Sequence, residues 1–471
     1  MSTKPKNETL ILFLALLITG VLIALGLGFF RNQIPGLSGN SGTGGTGGSG
    51  GSSIEQVSDR LSTGDRILVS DDVTPDKQAG IDAIKAGNFG EAVTRLEASL
   101  RSRPNDPEAL IYLNNARIGT NRSYEIAVSV PIGSDINGAK EMLRGVAQAQ
   151  NAVNQAGGIG NVPLKVLIAN DDDSADTVKE VAAALVADPD VLGVVGHFAS
   201  DTTIAASEVY TQGKLVSISP VSTSVKLSGL SPYTFRTVPS DYVAARALAN
   251  YMQTTLNEQR SAVFFNSQSG YSQSLKSEFV TALSLGGAQV TNEYDLSQGG
   301  FSPAQSVNEA IAQQATVLAL FPNSGLLDRA LQVAEVNGNR LKLLGGDDVY
   351  SPKTLEVGGA SAVDMIVAVP WHVLAHQGTP FVNESRQLWG GDVNWRTAMT
   401  YDAAAALIAA LGRNPTRDGV EQALRSPDFS AQGASETVRF LPSGDRNQGV
   451  QLVTVKTGNR SGFGYDFVPI P

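Results

Sequence analysis

Cysteine is absent from the chain, and histidine occurs only three times in 471 residues. Without cysteine there is no disulfide, no thiolate metal ligand and no cysteine nucleophile. The three histidines leave few acid or base groups for catalysis. Outside a Gly/Ser-rich segment there is no G-x-S-x-G motif, and no phosphate-cradling G-x-x-x-x-G-K-[ST] motif occurs. The sequence therefore disfavours an enzyme, and we expect no cofactor.

The chain also lacks any patch rich in lysine and arginine. Its formal net charge is -10, and only 17% of its residues are charged. A nucleic-acid-binding protein presents a basic face, so we expect no nucleic-acid partner. The hydrophobic fraction of 42% is enough for a large core, and the length predicts more than one domain.

One long apolar run stands near the amino end. Leu10–Phe30 has no charged residue and is long enough to span a bilayer. Lys4 and Lys6 precede it and Arg31 follows, which favours a cytoplasmic amino end. We expect residues 1–32 to form a cytoplasmic tip and a single transmembrane anchor in the inner membrane, with the bulk of the chain in the periplasm. A cleaved signal peptide is the alternative, although no A-x-A site follows the run.

A Gly/Ser-rich linker, residues 33–53, leads to a small helical unit at residues 54–120. Apolar residues recur there at helical spacing, Gly87-Asn88 bends the chain, and Arg103–Pro107 separates two helices. The pattern resembles a tetratricopeptide repeat. Because a single repeat is marginal alone, we expect it to pack on its neighbour or on a protein partner. A plain helical spacer is the alternative.

From Tyr124 to the end, predicted strands alternate with predicted helices. Runs such as Val191–Val195 are typical of parallel strands covered on both faces. The alternation restarts after Ser240, so the sequence predicts an α/β fold with two doubly wound lobes. A hairpin is also predicted, with Val438–Leu441 and Val450–Val455 as its strands.

Hydroxyl groups gather at the carboxyl ends of two predicted strands in the first lobe. Ser200 and Thr202 begin a helix, where free backbone N–H groups and hydroxyls suit a carboxylate. Thr223 and the Ser222 backbone follow the next strand and would add donors. Plain capping of the helix is the alternative, since a cap needs only one such residue.

An opposing set of residues is predicted in the second lobe. Asp347 and Asp348 follow a strand and could pair with an ammonium group. Tyr271 follows another strand and could cover an apolar part of a ligand. One anion site facing one acid suits a zwitterion.

Two groups of residues are candidate metal ligands. His372 and His376 are spaced i, i+4, and Asp171–Asp173 form an acidic run. The histidines have no third ligand nearby, and carboxylates after a strand also cap turns and helices. We therefore favour loop histidines and capping carboxylates, and expect no metal.

The region from about Tyr124 to Pro471 resembles the branched-chain amino-acid type of solute-binding protein from ABC importers. The matching segments, in order, are GAKEMLRGVAQAQNAVNQAGGIG, the Asp171–Asp173 run, GVVGHFASDTTIAAS, LVSISPVST, YTFRTVPSD, GYSQS, LLGGDD and FLPSGDR. The resemblance implies a periplasmic binding protein type I fold, with two lobes that are joined by a multi-crossover hinge and close on a ligand. Within residues 121–471, the implied first lobe is about residues 124–240 and 371–412, and the second about 241–370 and 413–471.

The resemblance also assigns roles to the candidate site residues. It implies a carboxylate-binding serine at Ser200, second-turn contacts at Ser222 and Thr223, an aromatic contact at Tyr271, and an ammonium-binding acid at Asp347 with Asp348 beside it.

Three positions depart from the family pattern. The loop Gly133–Asn137 and the segment Pro322–Ser324 lack an aromatic residue that many members have, and Ala199 stands where some have a disulfide cysteine. A more polar amino acid, a larger amide-like ligand or no ligand at all therefore stays open.

The predicted function is a membrane-anchored, extracytoplasmic solute-binding protein that passes an amino acid or similar zwitterion to an ABC permease. The alternative is a non-transport interaction protein. Tetratricopeptide helices before such a fold resemble the architecture of a lipoprotein activator of cell-wall synthases. The chain lacks the lipoprotein cysteine and keeps the polar site residues, which favours the transport function.

Overall fold

The computed structural model describes residues 57–71 and 73–470 of the chain. Two large β-sheets organise these residues. The first sheet contains β1 (Leu61–Ser62), β2 (Tyr124–Val130), β3 (Leu164–Asn170), β4 (Val191–Val195), β5 (Ser217–Ser219) and β6 (Thr234–Arg236), in the order β1-β3-β2-β4-β5-β6. The second contains β7 (Arg260–Phe265), β8 (Gln289–Asp295), β9 (Val317–Phe321), β10 (Lys342–Gly345), β11 (Ile366–Val369), β14 (Gln451–Thr457) and β15 (Tyr465–Pro469), in the order β15-β14-β11-β10-β9-β7-β8. A separate small pair is formed by β12 (Ala431–Gln432) and β13 (Thr437–Val438).

Helices alternate with these strands along the chain. They are α1 (Pro75–Lys85), α2 (Phe89–Ser102), α3 (Pro107–Ile118), α4 (Ile136–Gln155), α5 (Ala175–Ala187), α6 (Ser200–Gly213), α7 (Asp241–Thr254), α8 (Gly270–Leu285), α9 (Pro303–Ala312), α10 (Leu327–Asn337), α11 (Pro380–Trp389), α12 (Trp395–Arg413) and α13 (Arg417–Arg425). Short helical turns occupy Val225–Leu227, Ser324–Leu326, Asp347–Val349, Thr354–Gly358, Gly359–Ala362 and Val373–His376.

The two faces of each sheet belong to different hydrophobic clusters. In β2, Ile126 and Val128 join one cluster, whereas Ala127 between them joins another. In β9, Leu318 likewise belongs to one cluster, whereas the adjacent Val317 belongs to another. Successive side chains of a strand point to opposite faces, so both sheets are covered on both sides. The predicted architecture of two doubly wound α/β lobes is confirmed.

Within the described residues, three helices precede β2, and the last of them packs on the first lobe. The Thr74 hydroxyl and the Asp106 carboxylate cap α1 and α3, each of which begins at a proline. Lys77 is buried and pairs with Asp106 and Glu108, each at 2.8 Å. The predicted helices are present, and their assignment to the tetratricopeptide family stays a prediction.

Asn115 fastens α3 to β3. Its amide nitrogen donates to the carbonyl oxygen of Val166 at 2.7 Å, and its oxygen accepts from the Val166 N–H at 3.1 Å and from the Gln150 amide at 2.8 Å. The same nitrogen donates to the Thr63 carbonyl at 2.9 Å, close to where β1 pairs antiparallel with β3. The helical unit therefore packs on its neighbour, one of the two expected arrangements.

The return of the chain to the second lobe comes later than expected. The Arg417 side chain in α13 donates to the carbonyl oxygens of Val191 and Val186, both at 2.9 Å. These carbonyls belong to β4 and α5 of the first lobe. The boundary expected at residue 413 is therefore too early, because α13 is fastened to the first lobe by its own arginine.

The predicted hairpin near the end is wrong in its pairing. A turn does close at Leu441–Asp445, where the Leu441 N–H donates to the Asp445 carbonyl at 2.9 Å. However, β13 pairs with β12, whereas β14 inserts between β11 and β15. The buried Val453 and Val455 explain the choice, since they join the core only when β14 lies in the large sheet.

No helix within the described ranges combines the length and the apolar character that a membrane crossing requires. The predicted anchor Leu10–Phe30 and the linker 33–53 lie outside those ranges.

Candidate ligand-binding cleft

A cavity of about 290 Å³ lies between the lobes, at the carboxyl ends of strands from both sheets. One wall comes from residues that follow β3, β4 and β5, and the other from residues that follow β7, β9 and β10. Six of the seven predicted site residues line it: Ser200, Thr202, Ser222, Tyr271, Asp347 and Asp348. The fold thus brings together two predicted sets that are far apart in the sequence.

The first wall is centred on the start of α6. No side chain caps this helix, because the capping position is Ala199. Ser200 is buried, and its hydroxyl accepts the Ser224 N–H at 3.2 Å. That hydroxyl keeps its own hydrogen to donate. The backbone N–H groups of an uncapped first turn, together with a neighbouring hydroxyl, can donate hydrogen bonds to an acceptor group of a ligand.

Ser222 is engaged within the first lobe. Its hydroxyl shares a 2.7 Å hydrogen bond with the Thr203 hydroxyl, and its backbone N–H donates to the Ser219 hydroxyl at 3.0 Å. The Ser222 N–H, expected as a ligand donor, therefore already has a partner. Ser222 shapes the wall of the cavity while its hydrogen bonds stabilise the turn behind it.

Asp173 also belongs to the first wall. Its carboxylate accepts from the Thr202 hydroxyl at 2.8 Å. Burial raises the pKa of Asp173 to about 6, although the Thr202 hydroxyl and the Ala199 N–H oppose that rise. The hydroxyl predicted to hold a ligand thus holds a carboxylate of the protein itself.

The second wall presents an acid and a phenol. Asp347 begins a short helical turn after β10, and the Tyr271 hydroxyl donates to its Oδ1 atom at 2.7 Å. Burial, and then the neighbouring Asp348 carboxylate, raise the pKa of Asp347 to about 7. A carboxylate that is costly to ionise alone is stabilised by a ligand cation.

Asp348 is paired across the cleft. Its carboxylate accepts from the Ser324 N–H at 3.0 Å and forms a salt bridge with Arg396, which belongs to α12 of the first lobe. Arg396 also lies over the Trp395 ring, 4.4 Å from its centroid. Burial raises the pKa of Asp348, and Arg396 opposes that rise. Of the two adjacent acids, Asp348 is therefore paired with a cation, whereas the hydrogen-bond partner of Asp347 is a neutral phenol.

Two more hydrogen bonds join the lobes. The Gly270 N–H at the start of α8 donates to the Asp201 carboxylate at 2.8 Å. The Val225 N–H donates to the Ser274 hydroxyl at 3.0 Å. Together with the pair between Asp348 and Arg396, they link the two lobes across the cleft.

Thr223 is the one predicted site residue outside the cavity lining. Its hydroxyl is buried against the Asp241 carboxylate. Burial raises the pKa of Asp241 to about 6, although the Ser274 and Thr223 hydroxyls oppose that rise. Thr223 therefore faces the base of α7 rather than the open part of the cleft.

His197, His372 and Asp171 take structural places. The His197 ring contacts the Asp171 carboxylate at 2.6 Å and the Tyr210 hydroxyl at 3.0 Å, all of them buried. His372 accepts the Leu374 N–H at 3.2 Å, and burial lowers its pKa to about 4. In the described part of the chain, no three acidic or histidine side chains are grouped to hold a metal ion.

Three charged residues of the cleft were missed from the sequence. Asp173 stands in an acidic run that is typical of caps, and Asp201 stands between two predicted site residues, Ser200 and Thr202. Arg396 had no local signal, because it lies in a helix, α12, rather than after a strand. A search for charged residues at every strand end would have found the two acids.

Residues 123–460, well over half of the chain, match the family described as periplasmic binding protein. The chain belongs to the periplasmic binding protein family. This is a family of solute-binding proteins rather than of enzymes, and membership indicates an extracytoplasmic location.

Curated relatives support this membership. The "Amino acid binding protein" of Pseudomonas aeruginosa is 29% identical over 205 residues, which cover 42% of this chain and 54% of that protein. This chain thus matches only about half the length of that relative. The "Leucine-specific-binding protein" of Salmonella typhimurium is 23% identical over 305 residues, which cover 63% of this chain and 79% of that protein.

Solved structures show the same fold. A leucine binding protein from Thermotoga maritima gives a TM-score of 0.64 at 19% identity, covering 73% of this chain and 97% of that one. A solute binding protein of an ABC transporter from Rhodopseudomonas palustris, in complex with 3,4-dihydroxy benzoic acid, gives a TM-score of 0.65 at 16% identity. The match covers 74% of this chain and 96% of that one. The fold of the periplasmic binding proteins therefore extends over the two lobes described above.

Proposed function

We propose that the protein is the solute-binding component of an ABC importer and captures an amino acid or a related amino compound between its lobes. The observation that carries this proposal is Asp347. It is a buried acid that accepts a hydrogen bond from the Tyr271 hydroxyl and lines the same cavity as the uncapped start of α6.

Each wall of the cleft has a distinct role in the proposal. Asp347 binds the ligand ammonium, and the Tyr271 hydroxyl orients that carboxylate. The Ser200 hydroxyl and the first-turn N–H groups of α6 bind the other polar end of the ligand. The relatives named for amino acids and for leucine support this ligand class.

A ligand panel tests the proposal. We expect the purified full-length chain to gain thermal stability with one or more common L-amino acids or their amides, because a ligand that binds only the folded state raises its stability. The matched controls are the N-acetylated forms, which lack the ammonium. If no compound stabilises the chain, or if the N-acetylated forms do so equally, the proposed function is wrong.

The amino end would keep this receptor at the membrane. The support is the uncharged run Leu10–Phe30, followed by the linker 33–53. In this proposal the ligand passes to an ABC permease in the same membrane, and the helical unit is free to meet a protein partner. The intact mass of the membrane-extracted protein checks the anchor, because cleavage after the run would remove it. No observation on the described residues favours the non-transport alternative.

A further inference from the structure

We infer that the cleft prefers an amino compound whose second polar end is uncharged, such as an amino-acid amide, to a zwitterion with a free carboxylate. The inference rests on the proposed function and specifies the ligand class of the same site. It follows from what Asp173 does at the start of α6.

Asp173 takes donors that a ligand carboxylate would need. The Thr202 hydroxyl donates to its Oδ1 atom at 2.8 Å, and Thr202 is almost fully buried. The Ala199 N–H also interacts with this carboxylate. The uncapped end of α6 is thus already approached by an anion of the protein, which lines the cavity.

The charges of the cavity lining are also unbalanced. Four carboxylates line it, namely Asp173, Asp201, Asp347 and Asp348, and no lysine, arginine or histidine is among the described lining residues. Asp201 accepts an N–H from α8, and Asp348 pairs with Arg396 behind the lining. The hydrogen-bond partners of Asp173 and Asp347 are neutral hydroxyl groups, and among the described residues neither carboxylate forms an ion pair of its own.

A ligand would meet one of these two acids at each end. Its ammonium would pair with Asp347 in the second lobe. At the first lobe, a carboxylate would approach Asp173 as a like charge, and like charges placed together oppose binding. An amide keeps an oxygen for the Ser200 hydroxyl and adds an N–H donor for Asp173. Since the pKa of Asp173 is raised only to about 6, it is mostly ionised at neutral pH.

Matched pairs of ligands test the inference on the full-length chain. Titration calorimetry near neutral pH would compare each of several L-amino acids with its own amide, for example L-leucine with L-leucinamide. We expect the amide of a binding pair to bind more tightly by at least about tenfold, because it avoids one like-charge contact. Equal or tighter binding of the free amino acid would overturn the inference and leave the proposed function intact.

A variant pair assigns the effect to one carboxylate. Asp173→Asn keeps the shape and the acceptor oxygen, and it suits the backbone because the φ angle there is 52°. It should reverse or abolish the preference for the amide. Asp172→Asn is the control, since Asp172 also has a positive φ of 51° but does not line the cavity.

The outcomes separate the two proposals. An unchanged ratio of amide to acid affinity in Asp173→Asn, with Asp172→Asn behaving alike, would overturn the inference. If no amino acid and no amide binds the unmodified chain, the proposed function fails and the inference falls with it.

Discussion

The two walls of the cleft occupy equivalent strand ends, but their hydrogen bonds are satisfied differently. In the first wall, the hydroxyls of Ser222 and Thr202 are bonded within the lobe, to Thr203 and Asp173. In the second wall, Asp347 lines the cavity and accepts one hydrogen bond, from the Tyr271 hydroxyl. The first wall is therefore held in shape by its own hydrogen bonds, whereas the second carries the acid that, in the proposed function, pairs with the ligand ammonium.

The largest effect should come from removing the cation that joins the walls. Arg396→Met leaves Asp348 buried without its partner, which costs about 3–5 kcal/mol of folding stability when one member of a buried pair is lost. Denaturant unfolding of the variant measures this cost. The double variant Arg396→Met/Asp348→Asn should recover much of the loss. If it is as unstable as the single variant, the pair does not link the walls.

Removing the acid of the second wall should weaken ligand binding by the next largest amount. Asp347→Asn loses a charge-assisted hydrogen bond, and we expect about 1.5–3 kcal/mol less binding free energy for an amino-bearing ligand. Calorimetric titration measures the change. The control is Asp328→Asn, an exposed acid that pairs with Lys353 and is not among the lining residues. If the two variants change the binding free energy equally, Asp347 does not contact the ligand.

The titration of Asp347 gives a pH signature. Its pKa rises from 3.8 to about 7 on folding, so the folded state holds the proton in a window where the unfolded state has lost it. Stability of the free protein should therefore fall as pH rises from about 4 to about 7, and affinity for an ammonium should rise over the upper part of that window.

Several groups around Asp347 affect this profile. The pKa of Asp347 depends on Asp348, Asp241, Tyr271 and Arg396. The pKa values of Asp241 and Asp173 are also raised, so these two acids change the stability with pH in the same direction. The difference between the melting profiles of the unmodified chain and Asp347→Asn isolates the contribution of Asp347. If the melting temperature changes with pH by the same amount in both proteins, the predicted contribution of Asp347 is wrong.

The smallest effects should distinguish two hydroxyls of the first wall. Ser200→Ala removes a buried acceptor of the Ser224 N–H and a ligand donor, so we expect a loss of about 1 kcal/mol in both stability and affinity. Thr223→Val removes a hydroxyl outside the lining, and we expect an affinity change below about 0.5 kcal/mol. Calorimetry that ranks Thr223 above Ser200 would reverse our description of this wall.

The sequence predicted the architecture because its signals are local. Apolar runs such as Val191–Val195 mark strands by themselves, and a polar cluster at Ser200 marks the helix start that follows. Strand ends meet at one sheet edge in such folds, which is why six of the predicted residues lie around one cavity. The roles of those residues as ligand contacts stay predictions.

The remaining features depend on contacts between distant residues. Nothing near Arg396 in the sequence indicates that it reaches Asp348 in the other lobe. The acidic run around Asp173 does not reveal which of its carboxylates faces the cleft. The position of α13 likewise depends on carbonyls of α5 and β4, which only the folded lobe brings to Arg417.

The hydrogen bonds of Asn115 determine where the chain can be shortened for experiments. A fragment that starts at Tyr124 removes α3 and β1, and with them the partners of the Val166 N–H and carbonyl groups and of the Gln150 amide. It would also leave β3 as a bare edge strand, which favours aggregation. A truncated receptor that starts near Val57 keeps these contacts, so soluble expression should differ sharply between the two starting points.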